Sequence, residues 1–288
     1  MVRPRRSALY MPGSNPRALD KARTLPADVL IFDLEDAVAP SAKSAARDNV
    51  RSAMAAGGYG QRERLVRINS LDTDWGKADV AALAQADIDG IVIPKVEHAA
   101  QILAVADQLH IAGATSALPL WCMIETPRGV LGVQDIAGAS VQVAGLIMGT
   151  SDLSKELGAT PGNARLPLVT SLGLCLLAAK AHGKWILDGV HLDLDDAPSF
   201  AAQCMQGRDF GFDGKTLIHP KTIDQANTVF GPTEHEVAWA RRIIAAHAAA
   251  ERAGQGLVVV DGKLIENLHV AAARRTINLA TAIAQLER

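Results

Sequence analysis

Eight short apolar segments, each followed by a turn and a helical stretch, recur along the chain and constrain its fold more than any other feature. Several are near-continuous hydrophobic runs, as expected for parallel strands buried on both faces. The segments are Ser7–Met11, Val29–Leu34, Arg64–Ile68, Gly90–Pro94, Leu118–Ile124, Ala144–Met148, Trp185–Val190 and Lys215–Ile218. Strands that alternate with helices predict an α/β fold, a (β/α)₈ TIM barrel that closes by about residue 220.

A doubly wound open sheet is the alternative architecture. Its first strand would lead into a G-x-G-x-x-G turn, and no such turn follows Ser7–Met11. Hydrophobic residues make up 49% of the chain but aromatic residues only 4%. We therefore expect a large core that is built from Ala, Val, Leu and Ile.

The chain continues well past the last predicted strand. Its further predicted elements are a long helix over Thr233–Ala253, a strand at Leu257–Val260, a hairpin turn at Asp261-Gly262 and a final helix over Val270–Arg288. We expect a barrel domain over residues 1–232 and a C-terminal helical and hairpin extension over residues 233–288. The apolar residues of this extension are expected to pack on the barrel and on a neighbouring subunit.

Charge and composition exclude several classes of protein. A formal net charge of −2 argues against a nucleic-acid partner, which would favour a strongly basic chain. No apolar run approaches the roughly 18 residues of a membrane helix, and the basic N-terminus lacks the apolar stretch of a secretory signal. Cys122, Cys175 and Cys204 have no metal-type spacing and fit buried thiols in a reducing compartment. These features predict a cytoplasmic protein with no membrane partner.

Ionisable residues end nearly every predicted strand, at the rim where TIM-barrel enzymes carry their active sites. They are Asp33, Glu35 and Asp36 after the second strand, Arg67 in the third, Lys95 after the fourth, Glu125 after the fifth, Asp152 after the sixth, Asp188 in the seventh and His219 after the eighth. Scattered surface charge would not prefer one rim. The set therefore predicts a functional site.

Glu125 and Asp152 follow consecutive strands and are the candidate metal ligands. Two adjacent carboxylates repel unless a cation or a proton lies between them. Oxygen ligands without a neighbouring His or Cys favour Mg²⁺, or Mn²⁺, over zinc. The alternative is that each carboxylate caps the following helix or pairs with Arg128 or Lys155.

Arg67 lies inside the β-rich run LVRIN, where a charge is costly unless it is paired. Its guanidinium could grip a substrate carboxylate through two hydrogen bonds. It could instead pair with Glu35 or Asp36 on the neighbouring strand, and both roles can hold together. Glu35 and Asp36 could also accept hydrogen bonds from metal-bound water.

Arg17 and Lys21 lie one helical turn apart in the segment that follows the first strand. Asn15 is suited to cap that helix and Pro16 to begin it. A helix N-terminus with two cations can bind phosphate. The alternative is an ordinary solvated basic face.

Seven motifs, in order, resemble the β-subunit-like branch of the citrate lyase family within the HpcH/HpaI aldolase superfamily. They are RSALYMPGSNPR, VLIFDLEDAV, VRIN, IVIPKVE, MIETPRGV, GTSDLSKELG and LDGV. The resemblance covers roughly residues 6–275, and relatives include malyl-CoA and citramalyl-CoA lyases. It implies a (β/α)₈ barrel, in agreement with the strand pattern.

The resemblance also implies roles for residues of the rim. Glu125 and Asp152 match the family's Mg²⁺ ligands, and Arg67 matches the arginine that holds the carboxylate end of the substrate. Glu35 and Asp36 match acids near the water shell of the metal.

Further residues take their expected roles from the same resemblance. Gly149 and Thr150, in GTSDL, are expected to line the substrate site together with Arg67 and Glu125. The region of Arg17 and Lys21 contacts the coenzyme A phosphates in relatives.

The C-terminal segment VVVDGKLIENLHV resembles a segment of malyl-CoA and citramalyl-CoA lyases whose aspartate is catalytic and reaches a neighbouring subunit. Here that residue is Asp261, although Glu266 stands where relatives often have Asp. The alternative is that Asp261 simply occupies a turn. A catalytic residue on the tail favours a homo-oligomer, either a trimer or a hexamer.

The combined expectation is a Mg²⁺-dependent carbon–carbon lyase acting on a 3-hydroxyacyl-CoA thioester of the malyl-CoA or citramalyl-CoA type. Its products would be acetyl-CoA or propionyl-CoA and a 2-oxo acid. One alternative is a malyl-CoA thioesterase, and another is a citrate-lyase-type β subunit that acts on an acyl-carrier thioester. A catalytically silent binding subunit is the alternative from a different class.

Overall fold

The computed structural model describes residues 3–160, 162, 164–253 and 257–287. The chain forms two compact units, one over Arg5–Asn227 and another whose main part begins at Thr228. Across the described residues, no helix has the length and apolarity needed to cross a membrane.

Eight parallel strands in the first unit form a closed barrel in chain order. They are Ser7–Pro12 (β1), Val29–Asp33 (β2), Glu63–Arg67 (β3), Gly90–Ile93 (β4), Leu120–Ile124 (β5), Val143–Met148 (β6), Trp185–Asp188 (β7) and Gly214–Leu217 (β8). β1 pairs with both β2 and β8, and Ser7 lies opposite Lys215 where the barrel closes. The predicted TIM barrel is confirmed, and each strand lies within two residues of its predicted bounds.

Helices follow the strands around the barrel. They are Pro16–Lys21 (α1), Lys43–Ala56 (α2), Gly76–Leu83 (α3), Ala99–Ile111 (α4), Pro127–Leu131 (α5), Val133–Gly138 (α6), Thr150–Glu156 (α7), Val169–Ala181 (α8), Ala197–Phe210 (α9) and Ile223–Phe230 (α10). Short 3₁₀ turns lie at Ala22–Thr24, Pro40–Ala42, Leu166–Leu168 and Pro220–Thr222. Several helices begin at a proline behind a polar cap. In α1 the Asn15 side chain accepts from the Ala18 N–H at 3.2 Å, as predicted.

A buried apolar cluster fills the barrel, because alternate side chains of each strand point to its interior. Its members are Ala8, Val29, Ile31, Leu65, Val92, Trp121, Met123, Ile147 and Leu187. The same two-residue alternation continues past this cluster toward the carboxyl ends of the strands. There it brings Tyr10, Asp33, Arg67 and Glu125 into the interior-facing rows. Strand periodicity therefore places the polar residues of the rim directly above the apolar core.

The second unit consists of two long helices and a hairpin. These elements are Glu234–Arg252 (α11), Val258–Val260 (β9), Lys263–Ile265 (β10) and Asn267–Leu286 (α12). A reciprocal pair of hydrogen bonds between Thr233 and Glu236 caps α11. The two strands pair antiparallel, with Leu264 opposite Val259. The two helices and the hairpin share a small apolar core of Ala240, Ile243, Ile265, Val270 and Ala273.

Candidate active site

Arg67, at the end of β3, is the centre of a cluster of ion pairs. Its Nε and Nη2 donate to the two carboxylate oxygens of Asp33 at 2.7 and 2.6 Å. Its Nη1 lies 2.9 Å from Glu35 Oε2 and 3.2 Å from Asp36 Oδ2. Burial opposes the charge of Arg67, but the hydrogen bonds with Asp33 hold its pKa well above the ordinary value. The ion pairs considered as an alternative for Arg67 are therefore present.

An aromatic ring and a thioether support the same guanidinium from inside the barrel. The Arg67 Cζ lies 4.9 Å from the centroid of the Tyr10 ring. The Tyr10 hydroxyl lies 3.6 Å from Met123 Sδ, which is also 3.8 Å from Arg67 Nη1. Burial raises the pKa of Tyr10, so its hydroxyl stays protonated and remains a donor. Neither Tyr10 nor Met123 was assigned a role from the sequence.

Glu125 directly follows β5 and is only 2% exposed. Its Oε1 accepts the main-chain N–H of Lys95 at 2.7 Å. Burial raises the pKa of the Glu125 carboxyl to about 7, and the hydrogen bond from Lys95 and the charge of Arg67 oppose that shift. A buried acid with a pKa close to neutrality is typical of functional sites.

The helix that follows Glu125 does not use it as a cap. The Thr126 side chain caps α5 instead, by accepting from the Gly129 N–H at 3.0 Å. Arg128 pairs with Glu97, with its Nε 3.5 Å from a carboxylate oxygen. The structural roles considered as the alternative for Glu125 are therefore taken by its neighbours.

The Glu125 side chain packs directly against Gly149, which immediately follows β6. A Cβ at Gly149 would lie 2.3 Å from Glu125 Cβ and 2.6 Å from its Oε2. Gly189, after β7, is equally tight, because a Cβ there would lie 2.2 Å from Thr150 Oγ1. Any larger residue at either position would have to displace a side chain of the rim.

Asp152 is half-buried in the first turn of α7, whose N-cap is Gly149. A carboxylate at this position interacts favourably with the helix dipole. The alternative role for Asp152, stabilising the start of α7, is therefore compatible with the structure. Across the described ranges, no group of three or more His, Cys, Asp or Glu side chains is arranged to hold a metal ion. A cation held by Glu125 and Asp152 would therefore take its other ligands from water and substrate, as Mg²⁺ commonly does. A donor set of carboxylate oxygens without a neighbouring His or Cys fits such an ion.

Lys95 connects two acids of the cluster and has an unusual backbone. It directly follows β4 with φ of 50°, in the left-handed region. Its Nζ lies 2.7 Å from Glu35 Oε1 and 3.9 Å from Asp36 Oδ1. Burial raises the pKa of Glu35 although Arg67 and Lys95 oppose it. For the more exposed Asp36 the effect of burial is outweighed by Glu35, Arg67 and Lys95, and the pKa is lowered.

Arg17 and Lys21 are both exposed on α1, in the connection that leaves β1 at the same rim. Their proposed contact with coenzyme A phosphates stays a prediction.

Asp261 lies in the turn between β9 and β10 with φ of 48°. Its carboxylate pairs with Arg242 Nη1 at 2.8 Å and is 55% exposed. Arg242 in turn lies over the Trp239 ring, 4.9 Å from its centroid. Asp261 belongs to the second compact unit, whereas the rim residues belong to the first. Its catalytic role therefore stays a prediction.

Asp188 forms a second buried cluster at the end of β7. Its carboxylate accepts from Arg165 Nη1 at 2.7 Å and from Lys215 Nζ at 2.9 Å. Asp188 and Lys215 are fully buried, and Lys215 also donates to the Gly189 carbonyl. Burial opposes the charge of Asp188, but Lys215 and Arg165 outweigh it and lower the pKa. Two cations therefore share one carboxylate below the rim.

Asp33, Lys95 and Asp188 were recognised in the sequence as residues of the rim but received no role. One signal could have identified Asp33, because β2 alternates Val29, Ile31 and Asp33 toward the interior, directly opposite Arg67 in the register of β2 and β3. The same signal could have identified Asp188, which lies directly opposite Lys215 in the register of β7 and β8, whereas Glu35, the partner of Lys95, comes from the connection that follows β2.

The three cysteines are buried and free, as predicted. Burial raises the pKa of Cys122 and Cys175 to about 12 and that of Cys204 to about 11. Thiols with such pKa values are protonated at neutral pH and are poor nucleophiles. The chemistry of the rim therefore rests on carboxylates and cations.

Comparison with known proteins identifies the family of this chain. Residues 6–220 match the family described as HpcH/HpaI aldolase/citrate lyase. The chain is 52% identical over 281 residues to a (3S)-malyl-CoA thioesterase of Cereibacter sphaeroides (strain KD131 / KCTC 12085), covering 98% of this chain and 96% of the relative. It is 34% identical over 284 residues to citrate lyase subunit beta of Escherichia coli (strain K12), covering 97% and 94%.

A solved structure with a similar fold is that of protein CitE from Mycobacterium tuberculosis in complex with magnesium, acetoacetate and coenzyme A. The TM-score is 0.75 at 30% sequence identity, over 96% of this chain and 97% of that one. That relative therefore binds magnesium, an oxo acid and coenzyme A.

Proposed function

The chain belongs to the HpcH/HpaI aldolase/citrate lyase family, and from that premise we propose that it hydrolyses the coenzyme A thioester of a 3-hydroxy dicarboxylic acid, with (3S)-malyl-CoA as substrate. The observation that carries the proposal is the 52% identity to a (3S)-malyl-CoA thioesterase over nearly the full length of both chains. The sequence alone favoured a carbon–carbon lyase and kept the thioesterase as an alternative. The sequence identity to the thioesterase supports this alternative.

The lack of a cationic partner for Glu125 supports a divalent cation in this function. Asp33, Glu35 and Asp36 form ion pairs with Arg67 or Lys95, whereas within the described residues the Glu125 carboxylate accepts only a main-chain N–H and forms no ion pair. In the proposal Glu125 and Asp152 hold Mg²⁺ beside Gly149. When bound, the ion would supply a Lewis acid for the carbonyl and carboxylate oxygens of the substrate.

The chain's own side chains would orient the substrate and handle protons. Arg67, held by Asp33, would meet the carboxylate end of the substrate through Nη1, which Glu35 and Asp36 contact in this structure. Arg17 and Lys21 would meet the coenzyme A phosphates. The exposed carboxylate of Asp261 would accept a proton from the water that attacks the thioester carbonyl, and would return it to the sulfur as the C–S bond breaks.

A carbon–carbon lyase is the second candidate, favoured by the 34% identity to citrate lyase subunit beta and by the Asp261 segment. In that reaction the bond between the α-carbon and the carbinol carbon breaks. Asp261 would then deliver a proton to the α-carbon of acetyl-CoA while the hydroxyl group loses its own. Both candidates use the same rim and differ in which bond breaks.

Product analysis with malyl-CoA and Mg²⁺ separates the candidates. Hydrolysis releases malate and one free coenzyme A thiol, which a thiol reagent counts. Lysis releases glyoxylate and acetyl-CoA, with no new thiol. We expect thiol release equal to substrate consumed; glyoxylate without thiol would establish the lyase instead. Turnover of free malyl-CoA also argues against dependence on an acyl-carrier protein, and no turnover together with no Mg²⁺ binding would point to a silent binding subunit.

Activity measurements on variants test the roles of individual residues. We expect Glu125→Gln and Asp261→Ala to lose most activity, whereas Asp107→Asn, an exposed acid on α4, keeps it. Full activity in Asp261→Ala would remove Asp261 from the mechanism.

A homo-oligomer in which the tail completes a neighbouring site is part of the proposal. Mixing inactive Glu125→Gln and Asp261→Ala subunits tests it, because exchange would rebuild some sites from two intact halves. Restored activity is expected if Asp261 acts across subunits. No restoration, in a mixture shown to exchange subunits, would place Asp261 in its own site.

A further inference from the structure

We propose that Lys95 is a positioning residue that fixes two acids of the site at once, with its backbone directed at Glu125 and its ammonium group directed at Glu35. This inference deepens the proposed function and rests on it. Neither the sequence motifs nor the comparisons assign Lys95 a role.

The backbone half of the inference rests on an uncommon conformation. Lys95 has φ of 50°, a region in which a residue with a Cβ is rarely found outside turns or strained functional sites. In this conformation its N–H donates to Glu125 Oε1 at 2.7 Å. One oxygen of Glu125 is thereby fixed, and the other, Oε2, lies beside Gly149, where a Cβ would come within 2.6 Å of it.

The residues after Lys95 hold that conformation in place. The Gln101 side chain donates to the Lys95 carbonyl at 3.3 Å. Its oxygen accepts the N–H groups of Glu97 and His98 at 2.7 and 3.0 Å. The next N–H, that of Val96, donates to a carbonyl of β5. The short connection between β4 and α4 is therefore anchored at several points, as a strained residue requires.

The side-chain half of the inference rests on charge. The Lys95 ammonium lies 2.7 Å from Glu35 Oε1, while Arg67 takes the other oxygen of the same carboxylate. Glu35 is buried, whereas the Lys95 side chain is 45% exposed. Lys95 is thus the outer of two cations that pair with the Glu35 carboxylate, and its removal would leave this buried carboxylate with Arg67 as its one ion-pair partner among the described residues.

Glycine and proline at position 95 separate the two halves, because both remove the ammonium. Glycine adopts positive φ freely and keeps the N–H that donates to Glu125, whereas proline fixes φ at about −65° and has no N–H. The first readout is Mn²⁺ binding to the protein without substrate, which the paramagnetic signal of the free ion reports. We expect Lys95→Gly to bind Mn²⁺ within about twofold of wild type and Lys95→Pro at least about tenfold more weakly. Gln101→Ala, which removes the hydrogen bonds that hold this connection, should weaken Mn²⁺ binding in the same direction.

The second readout is kcat/KM for malyl-CoA. We expect Lys95→Gly to lose about tenfold or more, because Glu35 has lost a charge-assisted hydrogen bond. Lys95→Arg should recover much of that loss. The matched control is Lys180→Ala, which removes a lysine of the same 45% exposure with one ion pair, to Asp213 at the opposite ends of the strands.

Each outcome tests one half of the proposal for Lys95 or the metal site on which it rests. Mn²⁺ affinity in both Lys95→Pro and Gln101→Ala equal to that of the glycine variant would overturn the backbone half. Wild-type kcat/KM in Lys95→Gly, or no recovery in Lys95→Arg, would overturn the side-chain half. Failure of the wild type itself to bind Mn²⁺ would count against the metal site of the proposed function rather than against Lys95.

Discussion

Arg67 and Asp33 face each other across β3 and β2 and are joined by two nearly parallel hydrogen bonds of 2.7 and 2.6 Å. Both side chains are buried, so the pair is shielded from solvent and strongly directional. Arg67 cannot swing toward a ligand without breaking it. The guanidinium is therefore held in place before substrate arrives.

Asp33→Asn should destabilise the protein by about 3 kcal/mol, because it leaves a buried guanidinium short of its closest anion. Chemical denaturation gives the free energy of unfolding. The matched control is Asp87→Asn: Asp87 also forms a two-bond pair with an arginine, Arg64, but is 77% exposed. Loss of that pair should change stability by less than about 1 kcal/mol. Equal effects in the two variants would contradict the prediction.

The cluster of Asp188, Lys215 and Arg165 should respond asymmetrically to mutation. Asp188→Asn leaves two buried cations without an anion and should cost about 3–5 kcal/mol of stability. Lys215→Met removes one cation and leaves a balanced pair, so it should cost clearly less. Thermal and denaturant unfolding of both variants provides the measurement. A larger loss in Lys215→Met would show that the lysine, not the carboxylate, is the essential partner.

Gly149→Ala should sharply weaken divalent-cation binding and activity. Its new Cβ would come within 2.6 Å of Glu125 Oε2, so the carboxylate must move. Gly173→Ala is the matched control, because Gly173 lies in α8 with open space around the added carbon. That control should keep activity and gain roughly 0.5–1 kcal/mol of stability. Unchanged Mn²⁺ binding in Gly149→Ala would show that binding does not depend on the position of the Glu125 carboxylate.

Without metal, the contribution of Glu125 to stability should fall as the pH rises from 4.5 to about 7. Burial raises the pKa of this carboxyl from 4.5 to about 7, so the folded state binds more protons than the unfolded state in that window. The cost at higher pH is about 3 kcal/mol. The difference in unfolding free energy between wild type and Glu125→Gln, measured across pH, isolates this contribution. A flat difference would contradict it.

Binding of Mg²⁺ should release a proton below pH 7. The protonated Glu125 carboxyl must ionise to become a ligand, so apparent affinity should rise about tenfold per pH unit up to about pH 7 and then level off. Calorimetry in two buffers of different ionisation enthalpy counts the protons. Affinity that does not depend on pH would exclude Glu125 as a ligand.

The barrel was predictable because strands buried on both faces read as continuous apolar runs. Every predicted strand lies within two residues of the observed one. Glu125 and Arg67 were predictable as rim residues because each lies at the carboxyl end of such a run. Placing these two residues at the rim required only the local sequence and the position of the strand end.

Partnerships within the rim were harder to predict. The pair of Arg67 with Asp33 depends on the register between β2 and β3, which no single run determines. The left-handed backbone of Lys95 depends on Gln101 and on β5, since lysine has no preference for that conformation. The pair of Asp188 with Lys215 depends in the same way on the register between β7 and β8, and Arg165 reaches Asp188 from the connection that precedes α8. These features arise from tertiary structure rather than from residue type.

Closure of the barrel through Ser7 and Lys215 also bears on how the chain is made. On the ribosome β1 emerges first, but its second neighbour, β8, is synthesised about two hundred positions later. Until then the nascent sheet has two open edges that can pair with other chains. Completion of β8 removes both edges at once. A message truncated before Gly214 should therefore yield an aggregating product, even though it encodes most of the rim.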